Sequence, residues 1–125
     1  MRVATFLIIK AIVSLVFGVA LALIPATLMD WYGVTLDESG AVMAQTVGAC
    51  LIGIGLICWL GREVADDGRR TITLSLFIGD SVGFIVMLLA QLAGLMSGLG
   101  WALVVIWLLL ALGNGYCRFI KLGAP

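Results

Sequence analysis

This sequence predicts an all-α fold: four transmembrane helices in an antiparallel bundle, with both termini cytoplasmic. Three observations predict it. The 125 residues are 63% hydrophobic and only 11% charged, too little polar surface for a soluble domain of this size. Four apolar segments each approach the roughly 20 residues a helix needs to cross a hydrocarbon core of about 30 Å. Every Lys and Arg outside those segments falls on one side of the resulting topology.

The first span runs from about Val3 to Thr27. Pro25 ends or kinks it near its outer edge, because proline has no N–H for the carbonyl four residues back. The following "ATLMDWYG" is then placed to lie in the outer interface. Arg2 and "GVALA" resemble parts of a cleaved leader, but the apolar run is longer than a leader's and contains Lys10, so it reads as a retained span. The second span covers Ala41 to Leu60, after "MDWYGVTLDESG". The third covers Thr71 to Leu92, after "GREVADDGRR", whose alternating charges predict a solvated, self-paired turn. The fourth runs from Gly100 to about Ile120, after "GLMSGLG". Connections this short make successive spans antiparallel neighbours, giving one membrane domain over residues 1–125.

Orientation follows from charge. Arg2, Arg62, Arg69, Arg70, Arg118 and Lys121 lie on one side, whereas the other carries only Asp30, Asp37 and Glu38. Basic loops stay inside, so the expected location is the bacterial inner (cytoplasmic) membrane, multi-pass, with both termini in the cytoplasm. Trp31, Tyr32 and Trp101 fit an outer belt of interfacial aromatics, and Trp59 and Tyr116 an inner one.

Composition also narrows the chemistry. The net charge is zero and no block of like charges occurs, so nucleic acid is not an expected partner. There is no histidine, which removes the usual haem, zinc and copper ligand and the commonest acid–base catalyst. Cys50, Cys58 and Cys117 form no CxxC pair and sit in apolar runs, where cysteine acts as a small buried hydrophobe. No nucleophile–base pair or metal constellation is visible, so the expectation is a non-enzymatic protein without a cofactor or a metal.

Small residues mark the helix contacts, because helices in lipid associate through close packing. Ser14, Gly18 and Ala22 recur at four-residue spacing on the first span. Ala41, Gln45 and Ala49 do so on the second, with Ala44, Gly48 and Gly55 nearby. Gly79 and Gly83 mark the third span, and Ala111 and Gly115 the fourth.

Two charges lie inside the spans. Lys10 is eight residues beyond Arg2 and Asp80 ten beyond Arg70, so both sit about 12–15 Å from one boundary. A lone aspartate at that depth costs roughly 2.5–3.5 kcal/mol on the insertion scale. Lys10 is the only basic residue deep within a span, Arg118 lying at the inner end of the fourth, and a Lys10–Asp80 contact between the first and third helices is therefore predicted. The competing reading lets Lys10 snorkel to the interface on its long stem. Helical spacing extends Asp80's face through Gly83, Met87 and Gln91, and Lys10 shares a face with Ser14. With Asn114 near the inner end of the fourth helix, Lys10, Asp80, Ser14 and Gln91 make a candidate intramembrane polar site. A continuous seam would suggest a proton or solute path; isolated contacts act as hydrogen-bonded glue, which is the expectation.

The segments "GACLIGIGLICWLGRE", "GRRTITLSLFIGDSVGFIVMLLAQLAGLMSGLGW" and "LLLALGNGYCRF" resemble a broad group of small bacterial four-helix membrane proteins, whose layout is similar to that of the DoxX-like proteins. The resemblance covers about residues 40 to 120 and implies fold and localisation but no activity. Small multidrug transporters also have four spans, but place a glutamate in the first, where this chain has Lys10. The expected role is packing, as an accessory subunit of a larger membrane complex or a homo-oligomer, with the bilayer and other membrane subunits or a second copy as partners. The alternative is a proton-coupled transporter or channel with Asp80 as its titrating acid.

Overall fold

The computed structural model describes residues 2–123. They form helices α1 (Val3–Leu23), α2 (Pro25–Trp31), α3 (Glu38–Gly61), α4 (Asp66–Leu92) and α5 (Gly100–Tyr116), the last prolonged by a π-helical turn, Cys117–Lys121. Among the described residues, four helices are long and apolar enough to cross a membrane: α1, α3, α4 and α5 with its π-helical extension.

Local chemistry sets their ends, and in places moves them from the positions predicted above. The first span stops at Leu23, not Thr27, because Ile24 breaks from helical geometry and Pro25 starts α2, where its missing N–H costs nothing. The α3 helix begins earlier than predicted because Asp37 caps it, accepting from the Gly40 N–H at 2.6 Å. The α4 helix also starts early, at Asp66, so half of the expected turn is helical. Asp66 and Asp67 suit the positive end of the helix dipole and pair with Arg69 and Arg70 one turn on. The loop's charges are thus self-paired, largely within a helix.

The chain folds as two antiparallel hairpins, α1 with α3 and α4 with α5. Glycine sets the spacing within each. A Cβ on Gly18 would meet the Gly48 carbonyl at 2.9 Å, and one on Gly48 the Gly18 carbonyl at 2.6 Å, so the two backbones touch. Further along, Gly55 admits Leu15. In the second hairpin Gly83 receives the Trp107 ring and Gly115 the Phe77 ring. The predicted packing glycines 18, 48, 55, 83 and 115 therefore all lie at contacts. Gly79 does not: a Cβ there would meet nothing within 4 Å, because its side of α4 faces outward.

Where the hairpins meet, the half nearest the termini is filled by Val3, Phe6, Leu7, Ala11, Cys58, Leu110 and Cys117. Cys58 and Cys117 are buried as expected, but Cys50 is exposed, on the outward face of α3. At the far end, two loops clasp each other. Gly33 turns at φ +77°, letting Ser97 pack against it and donate its N–H to the Tyr32 carbonyl at 2.6 Å. Gly94 ends α4 at φ +76°, with the Leu95 N–H returning to the Ala90 carbonyl. Branched and long apolar side chains cover the outside, Val16 and Leu89 each being 62% exposed, a surface matched to acyl chains rather than water.

A candidate charged site between two cavities

The α1, α4 and α5 helices bring three polar side chains together at the joint between the hairpins. Lys10 Nζ donates to Asp80 Oδ1 at 2.6 Å, and Asn114 Nδ2 donates to Asp80 Oδ2 at 2.7 Å. Asn114 is itself held by the Leu110 carbonyl, 3.1 Å away. The ion-paired side chains are only 3% and 4% exposed. Lys10 therefore does not snorkel; its stem is packed, and its ammonium lies 5.5 Å from the Trp107 ring centre. Burying a charge is costly unless it is paired and hydrogen-bonded, and here each Asp80 oxygen has a protein donor. The Asn114 Oδ1 has no partner among the described residues.

The other predicted members of the polar site stand apart. Ser14, one turn beyond Lys10, is buried but bonds to neither charge. Gln91 lies three turns from Asp80, where its Nε2 donates to the Ser97 carbonyl at 3.1 Å and holds the α4–α5 loop. The polar seam is thus interrupted: between Asp80 and Gln91, α4 presents Gly83 with Trp107 seated on it. Gln45 lies outside the site too, donating to the Ala22 carbonyl at 3.2 Å and tying α3 to the end of α1.

Trp107 is the residue that sequence reasoning missed. A tryptophan at mid-span cannot belong to an interfacial belt, and Trp107 is seven residues before Asn114, on the same helix face. That spacing was the available signal. Of the predicted belt, Trp31, Trp59, Trp101 and Tyr116 are 40–60% exposed near the helix ends. Tyr32 is not part of it. It is 8% exposed, because the clasp on its carbonyl turns the ring into the bundle, and burial pushes its phenol above the usual value.

Two cavities flank the ion pair. One, of about 260 Å³, occupies the far half of the bundle and is bordered by Phe17, Tyr32, Met87 and Met96. The other, about 440 Å³, is a cleft between α3 and α4, bordered by Ile54, Thr71, Ser75 and Gly79. Lys10, Leu51 and Trp107 border both. Lys10 therefore stands in the wall between them, and Asp80 borders only the cleft.

Compared with family models, curated proteins and solved structures, the chain finds no match. The functional reading rests on the site's own geometry.

Proposed function

We propose a non-enzymatic role: a small integral membrane protein of the bacterial inner membrane, both termini in the cytoplasm, that acts by packing as an accessory subunit of a larger complex or as a homo-oligomer. The observation that carries this reading is the engagement of both Asp80 oxygens, each by a donor from a different helix. A carboxylate so engaged suits a latch between hairpins better than a carrier that must bind and release. Support for a partner comes from Gly53 and Gly79, which face outward with nothing within 4 Å of a Cβ. Small residues are what close helix contacts in lipid use, and these two are not used within the chain. Native mass spectrometry after extraction in a mild detergent tests the proposal. Larger subunits or a defined oligomer are expected, and a clean monomer would refute it.

A second reading, a proton-coupled transporter or channel with Asp80 as the titrating acid, is favoured by one observation: the two cavities share Lys10, the partner of Asp80, as a bordering residue. Under it, Asp80→Asn abolishes pH-dependent flux in proteoliposomes. If the variant alters only thermal stability or assembly, the carboxylate is structural.

A further inference from the structure

The cavity in the far half of the bundle has the attributes of a ligand site. Its wall is apolar but soft: Phe17, Tyr32 and Trp107 supply flat faces, and Met29, Met87 and Met96 supply flexible thioethers, the side chains that adapt best to a ring. Its volume, about 260 Å³, exceeds the roughly 150 Å³ of an engineered cavity that admits benzene. It falls just short of the roughly 300 Å³ at which drug-sized pockets begin. One ring with a few substituent atoms fits that interval.

The polar groups along this wall have N–H and O–H donors to spare. Lys10 has three N–H bonds and, among the described residues, one acceptor, Asp80. The Ser14 side chain borders the cavity in a residue only 3% exposed, and among the described residues its hydroxyl makes no hydrogen bond. The Tyr32 hydroxyl is likewise unengaged among them. Asp80 balances the charge of Lys10, so the site attracts an acceptor without selecting an anion.

We propose that this cavity binds an uncharged, lipid-soluble, single-ring molecule carrying a carbonyl-type acceptor, the ring against Trp107 and the methionines and the acceptor toward Lys10 and Ser14. The site is separate from the packing surface proposed above, since neither Gly53 nor Gly79 borders it.

The probe that tests this is 4-azidoacetophenone, photolysed with the full-length protein in phosphatidylcholine nanodiscs, with labelled residues located by peptide mass spectrometry. Met43, 67% exposed on the outer surface of α3, reports simple partition into lipid. Labelling at Met87, Met96 and Tyr32 is expected to saturate, while labelling near Met43 rises in proportion to probe. Acetophenone should suppress the saturable part at a membrane concentration about tenfold below that of ethylbenzene, which has the same ring but no acceptor. Ser14→Ala, which leaves the Lys10–Asp80 pair intact, should narrow that advantage about threefold. Labelling of the cavity residues that does not saturate would overturn the proposal, because bilayer chains would then fill the space. Equal displacement by acetophenone and ethylbenzene would overturn it as well, since no donor would be recognising the acceptor.

Discussion

Replacing Lys10 by methionine keeps most of the stem's volume and removes the charge, which isolates what the buried pair does. Asp80 retains its bond from Asn114 but loses the cation 2.6 Å away, in a site where its side chain is only 4% exposed. Removing one member of a buried pair costs about 3–5 kcal/mol, because the other charge is stranded. An independent bound agrees. A stranded carboxylate can take a proton from solvent, and for an acid of ordinary pKa near 3.9 this costs about 4 kcal/mol at pH 7, at 1.36 kcal/mol per unit. The loss should therefore stay near 4 kcal/mol. It should shrink by about 1.4 kcal/mol per unit as the pH is lowered toward 4, since protonation becomes cheaper. The double variant Lys10→Met with Asp80→Leu removes both charges, and replacement of a buried pair by apolar residues is commonly neutral or stabilising. Reversible unfolding in mixed micelles, followed by helical circular dichroism, gives the four free energies of the cycle. The reasoning predicts that the double variant is more stable than Lys10→Met alone by about 3 kcal/mol or more. Additive losses would refute it, because the two side chains would then act independently.

Four further outcomes follow from other parts of the molecule. Gly48→Val drives a side chain into the Gly18 carbonyl, 2.6 Å from the Cβ position; it should cost about 1–3 kcal/mol or more in the same unfolding assay. Gly53→Leu, where nothing lies within 4 Å, should change monomer stability by less than about 0.5 kcal/mol yet dissociate the complex expected in native mass spectrometry. Tyr32, whose pKa is raised by burial, stays protonated in the folded state where the unfolded chain ionises. Its contribution is thus full below about pH 10 and lost as the pH rises through the folded value; Tyr32→Phe should flatten that alkaline loss. In a variant without the native cysteines, an impermeant maleimide added to spheroplasts should label Ser39→Cys and spare Ala65→Cys if the termini are cytoplasmic, and the reverse pattern would invert the topology.

Much of the fold was legible because bilayer thickness fixes helix length, and because the side chains with special requirements are few. The Lys10–Asp80 pair could be read from depth alone: two opposite charges, two helices of the same direction, one level. The positions of Gly18, Gly83 and Gly115 could be read from spacing, whereas on the second span the spaced residues Gln45 and Ala49 are exposed and Gly48 beside them makes the contact. What could not be read is azimuth. An apolar span is hydrophobic all round, so pattern does not say which side meets protein and which meets lipid. Gly79 and Gly83 illustrate this, four residues apart and equally small in sequence. One is open on the surface and the other lies beneath Trp107. Tyr32 failed for another reason. A loop tyrosine beside a tryptophan suggests an interfacial anchor, and only the clasp between Ser97 and the Tyr32 carbonyl turns it inward. The cavities were invisible in sequence because volume depends on how side chains from four helices jointly fall short.

The placement of the glycine contacts explains why a costly ion pair sits where it does. The close glycine contacts, backbone to backbone at Gly18 with Gly48 and backbone to ring at Gly83 with Trp107, lie within a hairpin. Between hairpins the fit is coarser, with Phe6 against Gly113 and Ile72 against Gly61 as close approaches and open volume beside the charges. In lipid no hydrophobic force drives two finished hairpins together, because acyl chains cover them as well as each other's side chains do. Directional polar bonds do discriminate, since an unpaired charge in hydrocarbon is penalised wherever it stands. Sliding α1 by one turn would face Asp80 with Phe6 or Ser14 in place of Lys10, leaving a carboxylate without its cation. On this reasoning the Lys10–Asp80–Asn114 cluster selects the register of docking more than it adds to net stability, a use for which buried polar groups have precedent. The doubly apolar variant separates the two effects. If the cluster supplies register, Lys10→Met with Asp80→Leu stays folded and helical, but cysteines placed at α1–α4 positions that are adjacent only in the native register lose their selective cross-linking. Cross-linking that keeps its native pattern without the charges would show that side-chain shape alone sets the docking, and the argument for the charges as a register device would fail.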